Sequence, residues 1–351
     1  MKRVGIIGYS NCSGLGQMTL DLIKQFNIQY HLIIPGEEKG TDVNLSKAEH
    51  KYLSNTWAPS DQVLRNFLSL IDVIITVETT YHGKLFEIAK EMRVKTIFLP
   101  MFEWFEWQKY LNADTYICTS KKTHQYLLET NNGYVNDDSI LYMPWPVDTD
   151  KFIDNENTSK FNSNMVFLHN AGFGGLNWRK GTVEATEAFM SVDNSHLSLI
   201  LRAQFPLDKL PNYSKIIMDH RIIIDNRNWD DNSEMYKDAD VYLYPARYDG
   251  QALVAEEAMA CGMPVFVTDA EPMNEFSKDE RFKIKLKEKI PIQIHNHSVD
   301  MNMCDIEDLK NKIIWCVSED LSEVRKENRK IIEEGYSWHV WKQKYLDIIN
   351  S

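Results

Sequence analysis

At 351 residues, with 43% hydrophobic and 26% charged residues, the chain is longer than one compact core usually fills and reads as two domains of ordinary soluble composition. Its formal net charge of -12 argues against unaided, nonspecific nucleic-acid binding, which needs Lys and Arg to release counterions, although a local basic groove stays compatible with it. No apolar run reaches bilayer-spanning length, no cleavage-type signal follows MKRVGIIGYS, and Cys12, Cys118, Cys261, Cys304 and Cys316 form no CxxC pair, so a cytoplasmic protein with reduced thiols is expected.

The first half alternates strand-like and helix-like stretches. Residues 4–8 read as a buried strand, and residues 14–26 as a helix with apolar spacing through Leu15, Met18, Leu22 and Ile23. A second strand at 30–34 is closed by Pro35 and Gly36. Residues 72–77 form another strand, 85–92 a helix, and 96–99 and 115–119 complete the set. Short apolar runs between helices imply a parallel sheet covered on both faces.

Residues 141–152 (LYMPWPVDTDKF) break this rhythm, because two prolines restrict the backbone on either side of Trp145. With the polar stretch 154–164 they read as a linker. The alternation then restarts: strands at 165–169, 197–201, 221–224, 241–244 and 264–268, and helices at 182–190, 233–237 and 254–260. The tail from Ile306 is mostly helical and charged, ending in a helix with Trp338, Trp341 and Tyr345. The expected fold class is α/β: two Rossmann-like, doubly wound domains facing a cleft. Residues 1–152 with a returning helix at 336–351 make the first domain, and 153–335 the second. Ligands of such sheets bind beyond the carboxyl ends of the strands.

The most informative stretch is residues 245–265, PARYDGQALVAEEAMACGMPV. It sets Asp249 beside Gly250 just after a strand, where a carboxylate can accept hydrogen bonds from sugar hydroxyls. Glu257 follows eight residues later inside a helix, from which it can accept both hydroxyls of a ribose. An arbitrary Asp/Glu pair reads as a surface loop and a charged helix face, but here an apolar small-residue run follows that must pack closely on the sheet. Earlier, Gly174 and Gly175 allow close backbone approach, and Lys180-Gly181 precedes a helix start. A lysine beside a helix N-terminus suits a diphosphate. Alone it reads more readily as an ordinary loop lysine. Gly14 and Gly16 could admit a sugar or phosphate to backbone amides. The third glycine of a dinucleotide loop is absent, Thr19 standing near that position, as is the acidic residue closing the second strand, which weakens an oxidoreductase reading.

These stretches resemble the retaining glycosyltransferases of the GT-B fold, specifically glycosyltransferase family 4. The family pattern E-G-F-G-L-x-x-x-E-A-M-A-C-G-x-P-V is similar to D-G-Q-A-L-V-A-E-E-A-M-A-C-G-M-P-V here, with Asp249 standing for the first Glu. ADTYICTSKKTHQYL, YMPWPVDTDKF, NWRKGTVEATEAF, DADVYLYPARYDG, VFVTDAEPMNEF and GYSWHVWKQKYLDII resemble further family segments in the same order. One departure is Gly175, where the family usually carries an Arg; Arg179, Arg202 or Arg247 is then the candidate replacement.

The resemblance implies a sugar transfer from a nucleotide-diphosphate donor, UDP- or GDP-linked, with retention and without a metal or other cofactor. In that reading Lys180 and Gly181 hold the diphosphate, Asp249 orients the sugar and Glu257 binds the ribose. The donor-binding set also takes in Gly14, Gly16, Arg202, Arg247, Gly250, Gln251, Ala252 and Leu253, with amides near Arg227 and Asn228 reading the base. His82, Glu103 and Trp104 are acceptor-side candidates, the family's usual His being absent from LPMFEWFEW. Phe102, Trp104, Phe105 and Trp107 either stack on an acceptor or pack in the core. The triplets Asp148–Asp150 and Asp238–Asp240 read as structural. The acceptor, whether glycan, lipid-linked group, protein or modified DNA base, is left open. The rival readings are a nucleotide-sugar epimerase or phosphorylase, a noncatalytic nucleotide-sugar or carbohydrate-binding protein, and a glycosyltransferase acting on a hydroxymethylated DNA base.

Overall fold

The computed structural model describes residues 2–36, 40–154, 165–172, 179–229, 231–294 and 297–351. It divides into two compact units, the first holding Met1–Pro144 and Trp341–Ser351, the second Trp145–Ile294 and Ser298–Val340.

The first unit runs β1 (Val4–Tyr9), α1 (Gly14–Phe26), β2 (Tyr30–Ile34), β3 (His50–Leu53), α2 (Asp61–Leu68), β4 (Val73–Val77), α3 (Leu85–Glu91), β5 (Lys95–Leu99), α4 (Trp107–Tyr110), β6 (Thr115–Cys118), α5 (Lys121–Thr130) and β7 (Ile140–Tyr142). The seven strands pair in parallel in the order β3-β2-β1-β4-β5-β6-β7. β1, up to Gly8, and β4 are buried and largely apolar, as strands covered by helices on two sides must be. Ser13 caps α1 by accepting the Gly16 amide (3.2 Å), and Met18, Leu22, Ile23 and Phe26 make its buried stripe.

In the second unit β8 (Met165–Asn170), α6 (Thr182–Met190), β9 (Leu197–Arg202), α7 (Tyr213–Ile216), β10 (Ile222–Asp225), β11 (Val241–Tyr244), α8 (Leu253–Ala260), β12 (Val265–Thr268) and β13 (Lys283–Ile284) build a six-stranded parallel sheet, β10-β9-β8-β11-β12-β13. β14 (Leu286–Ile294) and β15 (His297–Cys304) pair separately, and α9 (Ile306–Val317), α10 (Ser322–Gly335) and α11 (Trp338–Asn350) close the chain. Most of α11 belongs to the first unit, where Tyr345 stacks on Phe26 at 5.9 Å and donates to the Met143 carbonyl at 3.3 Å.

Three local differences from the sequence reading have simple causes. The stretch read as linker begins with β7, whose three residues pair with β6 despite the prolines that follow. The expected helix at 233–237 is a 3-10 turn, Asn232–Tyr236, started by the Asp231 side chain accepting the Ser233 amide. β14 carries Lys287, Glu288, Lys289 and Pro291, and β15 Asp300 and Asn302, polar and proline positions that hide a strand pattern. No helix among the described residues is long and apolar enough to cross a membrane.

Candidate functional site

In both sheets the strand order reverses at one place: between β1 and β4 in the first, between β8 and β11 in the second. A doubly wound sheet opens a crevice at the carboxyl ends of that strand pair. In the second unit the segments leaving β8 and β11 carry Lys180 and Asp249. His169, at the end of β8, bonds the Leu243 carbonyl through Nδ1 (2.9 Å) and the Thr182 hydroxyl through Nε2 (3.0 Å), so it ties β8 to β11 and to the start of α6. Burial lowers its pKa to about 4, which keeps the ring neutral.

Gly181 has φ +67°, and a Cβ there would lie 1.9 Å from the Pro245 carbonyl oxygen, so only glycine lets the two segments meet. It is also the N-cap of α6, which has no side-chain cap; α8, which begins after Ala252, has none either. Two helices thus begin beside this crevice with their first-turn amides uncapped by side chains, the arrangement that attracts anions.

The charged centre is Asp249, only 2% exposed. Oδ1 accepts from the Arg179 guanidinium and, at 3.1 Å, from the Gly250 amide; Oδ2 accepts from the Lys180 ammonium and the Tyr244 hydroxyl. Burial alone would raise this carboxyl's pKa, but Lys180 and Arg179 outweigh it and hold the group well below the usual carboxylate range. Glu257, 3% exposed, accepts from Asn232 Nδ2 (2.7 Å) on one oxygen and the Tyr236 hydroxyl (2.6 Å) on the other. Tyr236, Tyr242 and Tyr244 form a row with neighbouring ring centroids 6.1 Å apart. Asp249 is bonded to one end of that row and Glu257 to the other. The tyrosine row therefore links the Lys180–Asp249 cluster to Glu257.

Arg202 and Arg247, the other candidates for the position left by Gly175, are spent elsewhere. Arg202 is buried on Asp225 (3.1 Å), and Arg227 holds the other side of that carboxylate (2.8 Å). Their guanidinium groups lie 4.9 and 4.3 Å from the ring centroid of Trp229, a residue the sequence reading did not single out. Asn228 accepts from Gln204 at 3.1 Å. Arg247 pairs with Glu184 of α6 (2.7 Å), donates its amide to the Arg179 carbonyl (2.8 Å), and receives the Asn302 amide (2.7 Å) and side chain (3.0 Å) on its own carbonyl. It is a tie between α6, β15 and the Asp249 segment. Gly250 is buried, Ala252 and Leu253 start α8, and Gln251 donates to Glu256 at 2.8 Å. Burial among Glu275, Glu257 and Asp249 raises the Glu256 pKa to about 8, against the lowering effect of Gln251.

In the first unit Gly14 faces open space, whereas a Cβ on Gly16 would strike the Asn11 carbonyl oxygen at 2.3 Å, so Gly16 serves packing. His82 lies at the crevice end of its sheet, bonded to Asp61 at 3.1 Å. Glu103 is buried and Trp104 half-buried; Phe102, Phe105 and Trp107 are buried, the last two within the apolar core. For Phe102, Phe105 and Trp107 packing is the observed reading; Trp104 stays half-exposed. The triplet carboxylates serve locally: Asp148 accepts the Lys151 amide (3.3 Å) and Asp240 the Val166 amide (2.7 Å). Gly174, Gly175 and most of the stretch 154–164 lie outside the described residues.

Residues 174–338 match the family model of glycosyl transferases group 1. The whole chain superimposes on solved glycosyltransferase structures. These include HepE of Anabaena in complex with UDP and glucose (TM-score 0.76, 12% identity, 100% of each chain covered) and a Rickettsia africae glycosyltransferase (0.70, 15%, 98% of this chain and 97% of that one). A third is sucrose-phosphate synthase of Thermosynechococcus elongatus (0.69, 12%, 99% and 98%). No curated protein sequence matches the chain. The chain has the GT-B fold, and residues 174–338 are similar to the glycosyl transferases group 1 family.

Proposed function

We propose that this protein transfers a sugar from a nucleoside-diphosphate sugar, UDP- or GDP-linked, to an acceptor hydroxyl, with retention at the anomeric carbon and without a divalent metal. The observation that carries the reading is the Lys180–Asp249–Arg179 cluster beside two uncapped helix starts, with Glu257 at the far end of the tyrosine row.

Asp249 has all its strong acceptor positions in use: two cations, a phenol and an amide. A donor diphosphate entering the crevice takes over Lys180 and Arg179, and the first-turn amides of α6 and α8 add neutral donors. That exchange frees Asp249 to accept from donor-sugar hydroxyls. Glu257, which accepts from Asn232 and Tyr236 on its two oxygens, takes the two ribose hydroxyls when the donor is bound. The base falls toward Arg227 and Asn228, where Trp229 adds a planar neighbour. As the bond to the anomeric carbon breaks, negative charge grows on the departing diphosphate where the cations already sit, which is the electrostatic stabilisation the step needs. The acceptor's proton passes to a departing phosphate oxygen, so positioning and charge supply the rate and no protein nucleophile is required. The first unit takes the acceptor.

A thermal-shift screen of UDP, GDP, ADP and their sugars tests the donor assignment, since a ligand that binds only the folded chain raises its melting temperature. One base should stand out. A set of flat responses at millimolar ligand rejects a nucleotide site.

A further inference from the structure

We infer that the crevice of the first unit's sheet binds a pyranose ring of a glycan acceptor, with the exposed face of Trp57 as its stacking platform. The inference rests on the reading that this unit takes the acceptor, and it names the acceptor's chemical class.

The strand order reverses between β1 and β4, and three aromatic residues meet at the carboxyl ends around that point. Tyr9 is the last residue of β1, Tyr81 lies in the turn after β4, and Trp57 lies between β3 and α2. Tyr81 packs edge-on to Tyr9 (5.5 Å) and to Trp57 (5.6 Å). The Trp57 indole N–H donates to the Tyr9 hydroxyl at 2.8 Å. That bond consumes the indole's single polar atom and fixes the ring, while the residue stays 42% exposed. A held ring loses little freedom when a ligand lands on it. Scattered exposed aromatics are ordinary on protein surfaces, but this one is braced by two others at the place where a doubly wound sheet takes ligands.

The turn after β4 is also costly to build. Glu78 and Tyr81 have φ +62° and +57°, conformations that non-glycine residues seldom adopt. Backbone strain of this kind gathers where a ligand must be met.

The chemistry of the surrounding segments selects the occupant. Residues 54–60 (SNTWAPS) and 78–83 (ETTYHG) contain no Lys or Arg. Phosphate-bearing partners, including a base within DNA, depend on such cations. In sequence these segments carry hydroxyl and amide residues, with Glu78 as the acidic member. A neutral polyol fits this set: its C–H face lies on the indole, and its hydroxyls meet polar side chains. Phe102, Phe105 and Trp107 do not compete for this role, because they are buried.

Saturation-transfer NMR with methyl glycosides of glucose, galactose, mannose and N-acetylglucosamine tests the platform, on the wild type and on Trp57→Ala, Trp57→Phe and Tyr9→Phe. At least one glycoside should bind the wild type saturably. Trp57→Ala should weaken it about fivefold to tenfold, Trp57→Phe about twofold, and Tyr9→Phe by about twofold to threefold through loss of the brace. UDP binding to the same samples should be unchanged by all three. The inference is overturned if no glycoside binds the wild type, if Trp57→Ala binds as well as the wild type, or if a hydroxymethylcytosine oligonucleotide binds through Trp57 while no glycoside does. Trp57-dependent glycoside binding without any UDP binding would leave the platform standing and remove the donor assignment.

Discussion

The two sheets share one topology and carry opposite chemistry at the same topological point. Where the second unit's strand order reverses, the loops bring Lys180 and Arg179 onto Asp249, and two helices start without side-chain caps. Where the first unit's order reverses, the loops bring Tyr9, Trp57 and Tyr81 together, and the segments flanking Trp57 and Tyr81 carry no Lys or Arg. The fold decides where a ligand can sit, because strands that diverge to opposite sides leave a crevice. The loop residues decide what it is: cations and free amides for a diphosphate, braced aromatic carbon for an uncharged ring.

The comparison can be broken most sharply at its charged side. Lys180→Ala and Glu257→Ala should each lower donor-dependent kcat/KM by about a hundredfold or more, the usual cost of removing one preorganised charge or anchor; near-normal rates in either folded variant sever it from the donor. At the aromatic side, Phe105→Ala should cost about 3 kcal/mol of folding stability in a denaturant titration, because the ring is a core group and not a ligand platform. A change in acceptor kinetics without that loss contradicts its burial. Arg179→Ala should cost about tenfold in kcat/KM with Arg179→Lys recovering part of it, since Lys180 remains to hold the diphosphate. The smallest effect concerns Glu256. The folded chain keeps its proton to about pH 8, whereas the group's ordinary pKa is 4.5. Folding therefore takes up a proton in that window, and its contribution to stability falls as pH rises through it. Below pH 6.5 the buried His31 and His169, both lowered to about 4, impose the opposite slope. Between pH 6.5 and 8 the wild type should lose stability with rising pH, and Glu256→Gln should flatten that loss. An unchanged slope in the variant means Glu256 titrates normally.

Much of the fold was legible because it is written in apolar runs. β1, β4, β8 and β11 are short buried strands bounded by turns, and the sequence marks each within a residue or two. β3 escaped because all four of its residues are exposed at the sheet's edge, and β13 because it has only two residues. The donor-side candidates were legible by type and spacing, but their partners were not. That Arg179 turns to Asp249 while Arg247 turns to Glu184 depends on which residues the packed loops bring within 3 Å, and spacing along the chain carries no such information. Trp57 was silent for a related reason. It sits in a polar loop with no periodic pattern, and only the brace from Tyr9 and Tyr81, 48 and 24 positions away in sequence, sets it apart.

The account stands on one nucleotide being held at both ends by the second unit. Isothermal titration of UDP, or of GDP if the screen selects it, into wild type, Lys180→Ala and Glu257→Ala measures this directly. Weakening of at least about tenfold in each variant is the predicted result. Affinity unchanged by Lys180→Ala, or by Glu257→Ala, contradicts it.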